Sequence, residues 1–137
     1  MKVLVIGGVA AGTKAAAKIK RQNRSAEVKI LTQSADISYA GCGLPYYVGG
    51  MIESREELIV NTPEKYTGLT GVEVVTRCEV TSVNFQAKTV TALCQGQTWL
   101  ESYDKLVIAT GATPFVPQVE GIRLPGVFTM RTPDDAI

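Results

Sequence analysis

Residues 3–6 are four consecutive large aliphatic side chains, and such an unbroken run suits a strand covered on both faces, as in a parallel sheet. Glycines stop it at once. Residues 13–22 are rich in Ala and Lys, with Ala16, Ala17 and Ile19 small enough to let a helix lie close on that sheet. Residues 28–31 predict the next strand, so the opening is a βαβ unit with a right-handed crossover.

The segment 40–50 carries too much Gly and Pro for a long element. Ser54 with Glu57 three residues later is a capping pattern for a short helix, and Pro63 can open another. Residues 72–75, 79–83, 88–92 and 98–101 predict short strands with alternating sides. Residues 105–109 are again a buried-type aliphatic strand, ending at Thr110-Gly111. The expected class is α/β: a nucleotide-binding layer on a parallel sheet, with a β-rich insertion over residues 72–101.

Composition adds limits. A chain of 137 residues with 45 % hydrophobic and 20 % charged side chains is a globular chain able to form a core, and one domain is the natural count. A net charge of +1 gives no general reason to bind nucleic acid or an anionic membrane. The apolar run at the start is too short for a secretory signal and is followed by Lys14 and Lys18, and no stretch approaches the length of a membrane span. A cytoplasmic location is therefore expected, and no metal site. The three cysteines do not make a disulfide framework. Cys78 and Cys94 sit in strand-like stretches and are expected as structural thiols, each a small hydrophobe.

Two segments carry candidate chemistry. Gly7-Gly8-Val9-Ala10-Ala11-Gly12 lies between a strand and a helix, where backbone N–H groups and the helix dipole can receive a pyrophosphate. Val9 stands at the middle glycine position of G-x-G-x-x-G, and Thr32 stands where an acid usually holds a ribose hydroxyl. The second segment runs from Ser38-Tyr39-Ala40-Gly41-Cys42-Gly43 through Leu44-Pro45-Tyr46-Tyr47-Val48 to Gly49-Gly50. A short helix beginning at Gly43 and Leu44 would favour the thiolate of Cys42, the nucleophilic form.

The cysteine segment and the glycine loop together resemble the coenzyme A disulfide reductase / NADH oxidase branch of the FAD-dependent pyridine nucleotide-disulfide oxidoreductases. Residues 62–65, 109–114 and 131–136 resemble later landmarks of the same region, so the resemblance spans the chain. It implies a Rossmann-like FAD-binding domain, with FAD as cofactor and NAD(P)H as electron donor. Gly7, Gly8, Val9, Ala10, Ala11 and Gly12 would lie at the FAD pyrophosphate, Thr32 and Gln33 near the adenosine ribose, and Val80 near the adenine through its backbone. Thr110 and Gly111 would close the flavin site, with Arg131 close by. Cys42 would be the redox centre beside the flavin, with Ser38, Tyr39 and Gly41 on the substrate side. Gly41 stands where relatives often have Asn.

No cysteine lies five residues from Cys42, where Ile37 and Tyr47 stand, so its oxidised form must be a mixed disulfide with a small thiol or a sulfenic acid. Relatives that work through the sulfenic acid commonly carry His in the glycine loop; this chain has Ala10 there and no histidine, which favours a disulfide or persulfide substrate. Lys18 and Arg21, three apart on one helical face, match positions where the family contacts the phosphorylated nucleotide of coenzyme A. A merely solvated basic face, shared with Lys14, Lys20 and Arg24, is the alternative. The family's NAD(P)H-binding and dimerisation regions have no counterpart in residues 1–137, so the chain is expected to be the N-terminal FAD-binding region of a homodimeric enzyme and inactive alone. Two other readings stay open: an NADH oxidase or peroxidase, and a non-catalytic nucleotide-binding module.

Overall fold

The computed structural model describes residues 1–137, which form two compact units: Met1–Ser38 with Asn61–Thr110, and Tyr39–Val60 with Gly111–Ile137. In chain order the elements are β1 (Lys2–Ile6), α1 (Ala10–Gln22), β2 (Glu27–Leu31), α2 (Leu44–Val48), α3 (Pro63–Thr70), β3 (Glu73–Val75), β4 (Cys78–Asn84), β5 (Thr89–Cys94), β6 (Gln97–Ser102) and β7 (Lys105–Ile108). Three short 3₁₀ turns complete the order, at Gly41–Gly43 and Arg55–Leu58 between these elements and at Pro133–Ala136 after the last of them.

The first unit is built on a four-stranded parallel sheet in the order β3-β2-β1-β7. As expected, β1 and β2 are parallel neighbours, with Val3 opposite Val28 and Val5 opposite Ile30. The unbroken aliphatic run of β1 has a direct cause. Val3 and Val5 pack with Ala16, Ile30, Ile37, Tyr66 and Val72 on one face, while Leu4 and Ile6 pack with Leu31, Cys78, Val90, Ala92 and Tyr103 on the other. Alternate side chains from Val3 to Ile6 thus enter two different apolar clusters, and after Lys2 no position is left for a polar residue.

Helix α1 begins three residues earlier than the Ala/Lys pattern predicts, because Val9 is already the cap residue and the second half of the glycine loop is helical. At its far end the Asn23 N–H donates to the Ile19 carbonyl at 2.9 Å, and Lys20 Nζ donates to the Ala26 carbonyl at 2.6 Å, so Lys20 is a helix-end tether. Helix α3 starts where Pro63 allows, with the Thr62 hydroxyl accepting the Lys65 N–H at 3.2 Å, and stops at Gly71 in the left-handed region (φ 71°).

Strand β3 corrects the boundary of the β-rich insertion. It pairs in parallel with β2, Lys29 opposite Glu73, and so belongs to the nucleotide-binding layer. Buried Tyr66 of α3 and Val72 join the helix-side cluster, and a strand entering after a helix on that face adds in parallel. The insertion is therefore only the antiparallel meander β4-β5-β6.

A second correction concerns the cysteines of that meander. Cys78 and Cys94 are buried, as expected of small hydrophobes, but they are also register partners across β4 and β5, with Cα atoms 4.0 Å apart and their sulfurs in bonding contact. Nothing in a spacing of 16 residues announced the pairing; it follows from the hairpin register.

In the second unit a backbone bridge joins Tyr39 to Ile59, and the Ala40 N–H donates to the Leu58 carbonyl at 2.7 Å. The predicted capping pattern forms: the side chains of Ser54 and Glu57 close a reciprocal box on the 3₁₀ turn, and Thr132 with Asp135 makes another. Residues 111–132 carry no helix or strand. No helix of the chain is long and apolar enough to cross a membrane.

Candidate functional site

The glycine turn between β1 and α1 is fixed by its neighbours. Gly7 has φ 109°, where a side chain is strained, and a Cβ there would run into the Ala109 carbonyl oxygen. Its N–H donates to the Leu31 carbonyl at 2.8 Å. A Cβ on Gly12 would strike the Gly7 carbonyl, so the first turn of α1 lies directly on the loop. At Gly8 a Cβ would come within 2.8 Å of Ile37 and 3.1 Å of Thr32.

That turn leaves the N-terminus of a 13-residue helix without a side-chain cap and without an acidic residue in its first turn; Ala10 and Ala11 are exposed. Free N–H donors, a positive dipole end and no competing carboxylate suit a bound anion, and the residues present therefore fit a dinucleotide pyrophosphate. Thr32 is 6 % exposed beneath Gly8; its N–H donates to Val75 at 3.0 Å and its carbonyl accepts from Cys78 at 2.9 Å. Gln33 beside it is exposed. Val80 packs at the edge of the sheet-side cluster, and the β4–β5 register breaks between Val80 and Ser82. A bulge of this kind frees backbone groups from the ladder.

Lys18 and Arg21 project from α1 as exposed side chains. Of the basic row, only Lys20 is committed to the fold. Ser38 is held at φ 50°, uncommon for a non-glycine residue, and its N–H donates to the Gly8 carbonyl at 2.9 Å.

In the second unit Cys42 is exposed and unpaired within the 3₁₀ turn that leads into α2. Gly43 behind it is enclosed: a Cβ would lie 2.9 Å from Leu58 and 3.3 Å from Ile52. Gly41 is open, with only the Tyr39 ring 4.0 Å from a Cβ. Tyr39 itself is 8 % exposed, so little of its ring is open to a substrate. Arg131 donates through Nε to the Ala112 carbonyl at 2.9 Å, beside Gly111 (φ 73°). N–H groups of Thr132 and Arg131 hold the Asp135 carboxyl below the usual carboxylate range.

The proposed site residues thus divide. Gly7 to Gly12, Lys18, Arg21, Thr32, Gln33, Ser38, Val80 and Thr110 lie in the first unit; Tyr39, Gly41, Cys42, Gly111 and Arg131 lie in the second. Two positioning residues escaped the sequence reading. Tyr66 donates its hydroxyl to the Thr13 carbonyl and pins α1, and Ile37 fills the space under Gly8. Pairings over 53 residues have no local signal.

All of residues 1–137 match the family described as pyridine nucleotide-disulphide oxidoreductase. An NADH oxidase of Methanocaldococcus jannaschii is 36 % identical over 138 residues, covering 98 % of this chain and 30 % of that protein. A coenzyme A disulfide reductase of Staphylococcus epidermidis is 36 % identical over 114 residues, covering 82 % of this chain and 26 % of that protein. Among solved structures, an NAD-dependent persulfide reductase from A. fulgidus superposes with a TM-score of 0.92 at 37 % identity, over 99 % of this chain and 26 % of that one. The chain spans less than a third of each relative.

Proposed function

Since the chain belongs to the pyridine nucleotide-disulphide oxidoreductase family, we propose that it is the N-terminal FAD-binding region of a longer, homodimeric enzyme that reduces a small disulfide or persulfide at Cys42. The observation that carries the reading is the contrast among the three cysteines: Cys42 is exposed and free, while Cys78 and Cys94 are buried against each other. A single accessible thiol with no neighbouring cysteine can reduce a disulfide or persulfide by forming a bond to the substrate's own sulfur.

Gly7 to Gly12 would hold the pyrophosphate of FAD, with Thr32, Gln33 and Val80 toward its adenosine end and Thr110, Gly111 and Arg131 toward its flavin end. When bound, FAD supplies the two-electron relay between NAD(P)H and sulfur. The Cys42 thiolate attacks one sulfur of RS–SR, breaks the S–S bond and releases RS⁻, leaving Cys42 as a mixed disulfide. Two electrons then return Cys42 to the thiolate and release the second RS⁻. Lys18 and Arg21 offer two exposed cations to a substrate bearing phosphates, as coenzyme A does, and Ser38, Tyr39 and Gly41 flank the thiol in sequence. The names of the relatives support this class: one is a coenzyme A disulfide reductase and another a persulfide reductase.

The NADH oxidase relative favours a second reading, in which oxygen is the acceptor and Cys42 cycles through a sulfenic acid. Purified full-length protein separates the two. The proposal expects a flavin absorbance spectrum and NAD(P)H consumption that rises on adding coenzyme A disulfide under nitrogen. Consumption that needs oxygen and ignores the disulfide supports the oxidase, and a colourless protein removes both.

A further inference from the structure

We propose that Cys78 and Cys94 form a second, reversible thiol–disulfide couple, chemically separate from Cys42, that locks the β4–β5 hairpin. They occupy the terminal rung of the hairpin, opposite one another, with Cα atoms 4.0 Å apart. Both are at most 2 % exposed and share a cluster with Leu4, Ile6, Leu31, Val90 and Ala92. The same backbone ladder serves both states. As thiols the two side chains are small hydrophobes in an apolar setting; as a disulfide they link strands already held side by side.

The rung is also anchored on each side. The Cys78 N–H donates to the Thr32 carbonyl at 2.9 Å, and just beyond the pair the Gln95 N–H donates to the Arg77 carbonyl at 3.2 Å. The couple therefore sits where the backbone already joins the hairpin to the end of β2, next to the buried Thr32 beneath Gly8. A loop of this size is one whose closure restricts the unfolded chain appreciably.

The chemistry balances with a low-molecular-weight disulfide, RS–SR, as oxidant. One cysteine, as thiolate, attacks RS–SR, forming Cys–S–SR and releasing RS⁻. The second thiolate attacks the protein sulfur of that intermediate, closing Cys78–Cys94 and releasing the second RS⁻. Two electrons pass from the cysteines to the small disulfide, and the two thiol protons go to solvent or to RS⁻. Burial of both sulfurs makes the exchange depend on transient opening of the hairpin, so it is slow compared with turnover at an exposed thiol.

The test uses the full-length protein carrying Cys42→Ser, so that the result stands apart from the reading of Cys42. The protein is equilibrated with mixtures of reduced and oxidised glutathione, quenched in acid, alkylated and mapped by peptide mass. The proposal expects the peptides of Cys78 and Cys94 to pass together from alkylated to linked as the proportion of oxidised glutathione rises, and back again, with the linked form melting at higher temperature. Adding Cys94→Ser, or Cys94→Ala should the serine variant not fold, is expected to abolish linkage and to make melting independent of the glutathione ratio. Two alkylated cysteines at every ratio would overturn the couple, as would a link that survives every reducing mixture in the folded protein.

Discussion

Around Gly7 and Gly12 the backbone has almost no freedom: a strand, a helix and the Ala109 carbonyl converge, and a single carbon atom added at either glycine collides with main chain. Around Cys42 the situation is reversed, since the thiol is exposed in a short 3₁₀ turn and Gly41 beside it has open space. One region is specified by sterics and, on the proposed function, would hold its ligand through main-chain groups, while the other presents an exposed thiol with open space at Gly41 beside it. The lesson is that the same residue type, glycine, carries structure at Gly7 and Gly12 and leaves access at Gly41.

The sharpest way to break this contrast is a matched pair of substitutions. Gly12→Ala is expected to destabilise the protein by about 3 kcal/mol through overpacking against the Gly7 carbonyl and to lose flavin, even though no charge is introduced. Gly41→Ala is expected to change stability by less than about 0.5 kcal/mol. Chemical denaturation and flavin absorbance of the two full-length variants check both. Near-equal losses would remove the distinction.

The basic face of α1 is the next test. Lys18→Ala with Arg21→Ala is expected to raise KM for coenzyme A disulfide by about 10-fold or more, on the scale of losing one charge-assisted contact to phosphate, and to leave an uncharged small disulfide unaffected. Steady-state kinetics on the two substrates decide it. Equal effects would return both side chains to a solvated helix face.

The smallest expected effect is electrostatic and compares the two units. Burial raises the Glu101 pKa, but hydrogen bonds and ion pairs with Lys2 and Lys29 outweigh it and hold the carboxyl below its ordinary value. For Lys29 burial acts downward, yet Glu101 at 3.2 Å and Glu73 at 3.3 Å leave the net shift upward. Signs follow from linkage. A depressed carboxyl stabilises the fold above its unfolded pKa and loses that contribution as pH falls through the folded value, and a raised lysine loses its contribution only as pH rises above the ordinary lysine range. Asp135 adds to the acid limb in the second unit. Thermal melting from neutral pH downward is expected to show a steeper acid decline in the wild type than in Glu101→Gln.

Much of the fold was readable because single positions carry unambiguous signals. The aliphatic run of β1 announced a strand covered on both faces, Pro63 and Thr62 announced the start of α3, and Ser54 with Glu57 announced a capped turn. Strand β3 was misplaced because its neighbours in sequence are antiparallel strands while its partner in space is β2, a choice made by packing over 44 residues from Lys29 to Glu73. The Cys78–Cys94 pairing and the Tyr66 hydroxyl on Thr13 are likewise products of register and packing. For the candidate site, the placement of the glycine turn between β1 and α1 and of a free Cys42 just before a short helix was legible, because strand–glycine–helix and an isolated cysteine among glycines are rare local patterns. The burial of Tyr39 and the left-handed backbone of Ser38 depend on surroundings no local pattern encodes.

The central claim is that Cys42 carries the electrons to substrate, and Cys42→Ser in the full-length protein tests it most directly. Mixed without oxygen with NAD(P)H, the variant is expected to bleach its flavin absorbance at close to the wild-type rate, because hydride transfer to the flavin does not require the thiol. On adding coenzyme A disulfide, turnover is expected to fall to background. Continued reduction of the disulfide at a wild-type rate would contradict the claim and leave Cys42 a structural residue.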